Sequence, residues 1–447
     1  MTYTSNYTAL LSGHYWNPYT TQGRPVILTY SFDTQAVTGS QGATDNPFTG
    51  SLDDAHKTLV RAALAAWSAN AGITFIETTQ HEGDLNFGYY HLADRSAAGD
   101  ATYPASGSYI AVNGSLAVYS NTDFLSGVIR FDDVTRKYSS NDFTHVALHE
   151  IGHALGLKHT FEGDIQLVPA IDNSTYSVMS YTGYAPRLGS LDETAIQAIY
   201  GSKTTPSPFA WSWDAATETL TQTGTAANDY IKGTGANDII NTAGGADAVV
   251  TYAGNDIIIA YGQSLQVNAG AGLDVVKENL SRSSLTAVQY DQSQKYAYVT
   301  FGSANQALSN VERLQFTDGT LALDLSGTAG EAYRLYQAAF DRTPDATGLT
   351  FWVSAMDSGK SLYDVAAGFV QSNEFHSVYR SAQSDDAFVS KLYNNILGRD
   401  GEPDGMVFWE GKIASGASYA SVLAGFSESP ENITGVAPSV AHGIWLV

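Results

Sequence analysis

The 447-residue chain contains no cysteine. A disulfide framework is therefore excluded, and so is a thiolate metal site; any zinc must be held by His, Asp, Glu or Tyr. Positive charge is scarce as well. Lys and Arg number 22 against 45 Asp and Glu, a formal net charge of -23. That balance argues against non-specific binding to nucleic acid or to an anionic membrane, which needs basic patches. It suits a protein that binds hard cations through carboxylates. No apolar run approaches the length of a membrane span. The opening residues, "MTYTSNYTALLSGHYW", lack the basic and apolar regions of a signal peptide. Charged residues make up 15% and apolar residues 43%, which is a globular balance. The 42 glycines and 27 tyrosines lean towards β-structure and turns. The length predicts two to four domains.

Residues 1–202 read as one mixed α and β unit. "PVILTYSF" (25–32), "ITFIET" (73–78) and "DLNFGYY" (84–90) are strands by β-branched and aromatic content. Residues 51–70 switch to helical spacing, with Leu59, Val60, Ala63, Leu64 and Trp67 in phase. "SYIAVNGSLAVY" (108–119) is a candidate edge hairpin turning at Asn113-Gly114. "LDETAIQAIYG" is a short helix stopped by Gly201. The Pro, Thr and Ser of "KTTPSPF" (203–209) mark a linker.

The chemistry-bearing string is "HEIGHALGLKH", residues 149–159. His149 and His153 are i and i+4, so they share one helical face and can hold one tetrahedral ion. Glu150 lies one step round and can reach a water on that ion without ligating it. Gly156 accepts a positive φ, so the helix can break there and return His159 as a third ligand. Three neutral imidazoles leave a coordination position open for water, the mark of a catalytic site. His145, one turn earlier, reads as a helix-face residue.

This string resembles that of the metzincin zinc endopeptidases, which carry it ahead of a methionine turn. The matching turn is "SVMSYTGY", with Met179 twenty residues after His159. "VMSY" is similar to the serralysin branch, the secreted alkaline proteinases of bacteria. The resemblance implies Tyr181 as a further zinc ligand that can swing away and donate to the oxyanion. It implies Glu150 as the general base of peptide hydrolysis. It covers roughly residues 10–275. One departure is Thr160, where serralysins usually place Pro.

A nonapeptide repeat follows the linker: "GTAANDYIK", "GTGANDIIN", "TAGGADAVV", "TYAGNDIII". Asp229, Asp238, Asp247 and Asp256 keep the spacing; the acid is lost at Leu265 and returns at Asp274. The apolar position two residues later holds throughout, at Ile231, Ile240, Val249, Ile258, Val267 and Val276. The pattern resembles RTX repeats, in which a parallel β-roll turns on glycines and carboxylates share calcium. The five aspartates are the candidate calcium ligands. That resemblance implies export through a type I secretion channel and an extracellular, secreted protein.

Residues 279–326 alternate like strands. A longer repeat comes next, with Leu335/Leu392, Gly348/Gly405, Trp352/Trp409 and Phe369/Phe426 each 57 residues apart. It resembles a bacterial domain of unknown function and reads as mostly helical. The expected architecture is an α+β metzincin catalytic domain (1–202), a parallel β-roll or RTX solenoid with flanking strands (203–326), and a mostly α-helical C-terminal repeat domain with a secretion region (327–447). The expected function is a secreted zinc endopeptidase stabilised by calcium. It is expected to be a monomer acting on protein or peptide substrates, with no nucleic-acid partner and no membrane span. The rival role is an adhesion or processing protein attached to a cell surface or S-layer through its non-catalytic half.

Overall fold

A computed structural model describes residues 2–16, 22–32, 46–79, 83–94, 96–102, 109–112, 115–119, 127–291, 296–382 and 384–447. The chain divides into two compact units: 1–260 with 264–272, and 261–263 with 273–447.

The first unit opens with strand β1 (Thr2–Thr4) and continues through β2 (Val26–Ser31), β3 (Phe48–Gly50), helix α1 (Asp54–Asn70), β4 (Ile73–Glu77), β5 (Leu85–Tyr90) and β6 (Gly99–Ala101). A short hairpin, β7 (Tyr109–Val112) and β8 (Ser115–Tyr119), is followed by β9 (Gly127–Asp132), α2 (Ser140–Ala154), β10 (Ile165–Leu167) and α3 (Ser190–Tyr200). The expected turn of that hairpin, Asn113-Gly114, lies outside the described residues. Strands β4, β2, β5 and β9 pair in parallel, and β6 closes the edge antiparallel to β9. Every residue of β5 and β9 is buried. Both faces of this part of the sheet are therefore covered, which explains runs without alternation. Helix α1 is capped by Asp53, whose side chain accepts from the His56 backbone N–H, and it buries Val60, Ala63, Leu64 and Trp67. These join Phe143, Leu148, Ile151 and Met179 in one core.

The same unit continues with β11 (Ala210–Asp214), β12 (Thr219–Thr223), β13 (Tyr230–Lys232), β14 (Asn237–Asn241), β15 (Asp247–Val250), β16 (Ile257–Ile259) and β17 (Leu265–Asn268). From β12 onward, alternate strands pair in parallel: β12 with β14 and β14 with β16, and β13 with β15 and β15 with β17. The register step is two nonapeptides, as in Ile231 opposite Val249 and Ile240 opposite Ile258. Ile231, Ile240, Val249, Ile258 and Val267 are all buried. Successive strands thus alternate between two ladders, with the repeated apolar side chain inside.

Two residues of this segment complete the polar groups of the first sheet. Lys232 Nζ lies 3.2 Å from Asp84 Oδ1, and both side chains are buried. Asp84 also accepts from the Thr29 N–H at 2.7 Å. The ammonium sits over the rings of Trp16 and Tyr252. Glu218 Oε1 accepts from the Thr79 N–H at 2.6 Å and its hydroxyl at 2.8 Å.

The second unit holds β18 (Val275–Lys277), β19 (Ala287–Asp291), β20 (Tyr296–Phe301), β21 (Ala304–Ser309), β22 (Arg313–Phe316) and β23 (Gly319–Ala322). Among the described residues, eight helices follow, from α4 (Thr328–Phe340) to α11 (Pro430–Val440). The last residues are not helical. They form β24 (Ile444–Leu446), antiparallel to β23, because the apolar "IWL" completes a strand edge there. Equivalent loops of the two long repeats each carry an arginine on a distant acid: Arg342 on Glu374 and Arg399 on Glu431. Among the described residues, no helix is long and apolar enough to cross a membrane.

Replacing Lys232 by Met should lower the unfolding free energy of the full chain by roughly 3–5 kcal/mol, because Asp84 keeps a buried charge without its partner. Adding Asp84→Asn should recover part of that loss. Denaturant melts of the four-member cycle check both statements.

Candidate metal centre

Helix α2 is capped by Ser139, whose hydroxyl accepts from the Asp142 N–H at 3.2 Å. It carries His149 and His153 on one face and ends at Ala154. Gly156 has φ +99°, and a Cβ there would collide with the His14 carbonyl oxygen. Only glycine lets the chain reverse so tightly against the N-terminal segment. The Leu157 N–H then bonds back to Gly152 O at 2.9 Å, and His159 follows.

The reversal brings three ring nitrogens together. His149 Nε2 and His153 Nε2 are 3.1 Å apart, His149 and His159 3.2 Å, and His153 and His159 3.1 Å. Among the described residues they are the group of potential ligands whose donor atoms converge. The other nitrogen of each ring faces a fixed oxygen. His149 Nδ1 meets Val178 O at 2.7 Å, His153 Nδ1 meets Leu157 O at 2.8 Å, and His159 Nδ1 meets Glu162 Oε1 at 2.6 Å. Carbonyl and carboxylate oxygens only accept, so each Nδ1 carries the proton and each Nε2 presents a lone pair. Burial, with neighbouring imidazoles adding to it, lowers His149 to about 3 and His153 to about 4. Both rings are therefore neutral near pH 7. A tetrahedral zinc with nitrogen bonds of about 2.0–2.1 Å has edges of roughly 3.3–3.4 Å. The observed triangle and the tautomers fit that ion.

Glu150 is buried beside the trio. A Cβ on Gly99 would lie 2.9 Å from Glu150 Cγ, so strand β6 closes over it. Burial, reinforced by the charge of Asp100, holds its carboxyl well above the usual range. A cation held by the histidines would act in the opposite direction. Met179 is fully buried beneath α2, and a Cβ on Gly152 would stand 2.6 Å from its Sδ. Tyr181 is 69% exposed, with its ring 4.6 Å from that of His159 and 5.8 Å from that of His149. Phe161 stacks on His159 at 5.2 Å and meets Tyr181 edge-on at 5.0 Å.

Residues 45–201 match the Matrixin family model. Serralysin from Proteus mirabilis is 29% identical over 226 residues, covering 42% of this chain and 43% of that protein. Serralysin B from Dickeya chrysanthemi is 30% identical over 222 residues, 42% of each. The N-terminal domain is similar to the serralysin-like metzincins. Human matrix metalloproteinase-20 is also similar, 30% identical over 148 residues, 32% of this chain and 27% of that one. The chain thus spans less than half the length of these curated relatives. Residues 332–379 and 366–436 match a domain of unknown function (DUF4214).

Within the metzincin-like domain, the structure gathers His149, His153 and His159, with Glu150 and Tyr181 alongside. His145 stands apart: its Nδ1 meets Ala185 O at 2.9 Å and its ring packs on Tyr184. Thr160 is buried and donates to Asp172 Oδ1 at 2.6 Å, a bond that proline could not make. Asp229 directly precedes β13, Asp238 lies within β14, Asp247 opens β15 and Asp256 directly precedes β16. Asp247 Oδ1 accepts from the Asp229 N–H, and Asp256 Oδ1 from the Asp238 N–H, both at 2.8 Å. Asp274 lies in the second unit, where its N–H bonds to Glu312 Oε2 at 2.9 Å.

Sequence reasoning missed Glu162, three residues beyond His159, and Asp192 in the first turn of α3. Asp192 accepts from the Ser177 hydroxyl at 2.6 Å, the Val178 N–H at 2.8 Å and the Gly189 N–H at 2.8 Å. It thereby fixes the turn whose Val178 carbonyl holds His149. An acid at a helix start is so common that only the contact reveals the role.

Burial raises the Asp192 carboxyl from 3.8 to about 6. The unfolded chain releases this proton near pH 4 and the folded chain near pH 6, so ionisation opposes folding in that window. Wild-type stability, measured against Asp192→Asn, should fall between pH 4 and pH 6 and level off above. Urea melts at several pH values check it; a difference independent of pH would exclude Asp192 as the source.

Proposed function

We propose that the protein is a zinc-dependent endopeptidase that hydrolyses peptide bonds of protein or peptide substrates. The observation that carries this reading is the triangle of Nε2 lone pairs, each oriented by an acceptor on the opposite ring nitrogen. His149, His153 and His159 would hold the ion, with Tyr181 able to approach it. When bound, zinc supplies Lewis acidity towards a water molecule and the scissile carbonyl. Glu150 takes the proton of the attacking water on a carboxylate oxygen and passes it to the leaving nitrogen. The exposed Tyr181 hydroxyl donates to the carbonyl oxygen as charge develops there.

The reading extends to the repeats as a calcium-binding RTX β-roll. Its support is the 18-residue pairing of carboxylates in parallel ladders. Asp247 Oδ2 is buried and accepts no hydrogen bond, and burial, with Asp229 adding like charge, raises that carboxyl to about 6. A divalent cation would relieve both costs. Asp229 with Asp247, and Asp238 with Asp256, are the ligand pairs; Asp274 is the further candidate. Division into residues 1–202, 203–326 and 327–447, type I export and an extracellular location belong to the same proposal, on the analogy of the serralysin-like domain joined to these repeats.

Two outcomes are expected. Glu150→Ala should retain stoichiometric zinc by metal analysis while casein cleavage drops by at least about 100-fold; undiminished cleavage would sink the assignment. A calcium chelator should lower the melting temperature of the full chain, and Asp247→Asn should reduce that shift. A melting curve indifferent to chelation would remove calcium from the proposal.

A further inference from the structure

The loop that carries His159 is held in a way that the histidine spacing does not explain. Lys158 is half-buried, and its ammonium donates to three backbone carbonyls: Ala9 at 2.6 Å, Glu162 at 2.5 Å and Ile165 at 3.0 Å. An ammonium has three N–H donors, so this set is complete. One acceptor lies in the N-terminal segment and two lie in the loop itself. The surrounding backbone repeats the connection. The Lys158 N–H bonds to Leu10 O at 2.8 Å, Leu11 bridges Leu157, and β1 pairs in parallel with β10. Inside the loop, Glu162 turns back to accept from His159 Nδ1. The Glu162 carbonyl is thus tied to Lys158 while its carboxylate is tied to the third imidazole.

We propose that Lys158 and Glu162 are positioning residues for the third zinc ligand. Lys158 tethers the loop to residues 2–11, and Glu162 sets the tautomer and rotation of His159. His149 and His153 need no such device, because helix α2 fixes their spacing and backbone carbonyls orient their rings. His159 stands on irregular chain, where its orientation depends on one carboxylate and on the tether behind it. A carboxylate acceptor also increases the basicity of the imidazole that donates to it.

The inference rests on the zinc reading above, and its test separates the two. Full-length wild type, Lys158→Met, Glu162→Ala and Glu162→Gln are stripped of metal and titrated with zinc against a chromophoric chelator. Metal-free melting temperature and, at saturating zinc, kcat and KM are measured on the same samples. Glu162→Ala and Lys158→Met should bind zinc roughly 10–100-fold more weakly. Glu162→Gln, which keeps an acceptor oxygen, should lose less. KM should stay unchanged, because neither residue is placed to touch substrate. Glu162 is exposed enough that its variants fold even if Lys158→Met does not. Tight zinc binding by wild type with equal affinity in the Glu162 variants would overturn this inference alone. Failure of wild type to bind zinc would overturn both readings.

Discussion

The site depends on one constraint: three imidazoles must point bare nitrogens at a common centre. Placing three lone pairs within 3.2 Å of one another is unfavourable by itself. Each ring must be held from behind, by Val178 O, Leu157 O and Glu162 Oε1 respectively. Much of the domain follows from supplying these acceptors. The turn after residue 176 exists to bring Val178 under α2, and Asp192 pins that turn. The break at Gly156 exists to bring Leu157 O back onto the ring that precedes it.

Packing enforces the same arrangement from below. Gly152 faces Met179 Sδ and the Trp67 ring, and a Cβ would be within 2.6 and 3.3 Å of them. Any side chain there would separate the helix from its supporting turn and carry His149 away from Val178 O. The small residue between the two helical histidines is therefore as necessary to the geometry as the histidines themselves. Trp67 reaches the same place from α1, with its Nε1–H donating to Leu148 O at 3.3 Å. The two helices and the turn thus meet at the one layer that sets ligand position.

What the sequence made legible was local or periodic. The i, i+4 histidines, the helix-breaking glycine and the nonapeptide register each declare themselves within a few residues. Helix α2 ends two residues before Gly156, because a positive φ requires the helical bonds to be released ahead of it. Strand β9 escaped the reading: "GVIRFD" is buried on both faces and so has no alternation to detect. The pairings that stabilise the site at a distance were illegible. Thr2–Thr4 meets Ile165–Leu167 across more than 150 residues, and Lys232 meets Asp84 across 148. A lone lysine or aspartate carries no local sign of its partner. Glu162 lay close enough to see, but an acid three residues after a histidine is ordinary on any surface turn.

The junction at Lys232 shows why the repeat strands and the first sheet cannot be treated as independent energetic units. Asp84 and Asp238 are both fully buried, and both feel the single ammonium of Lys232. One positive charge between two carboxylates leaves one negative charge unmatched. Burial therefore drives the Asp238 carboxyl far above its ordinary range, with Asp84 adding to the rise and Lys232 opposing it. Such a group must take up a proton or neighbour a cation. Asp238 is also one of the repeat aspartates. Whatever neutralises Asp238 therefore changes how far the ammonium is shared with Asp84. The Lys232 ammonium therefore bears on buried carboxylates of both segments, Asp84 beside β5 and Asp238 in β14.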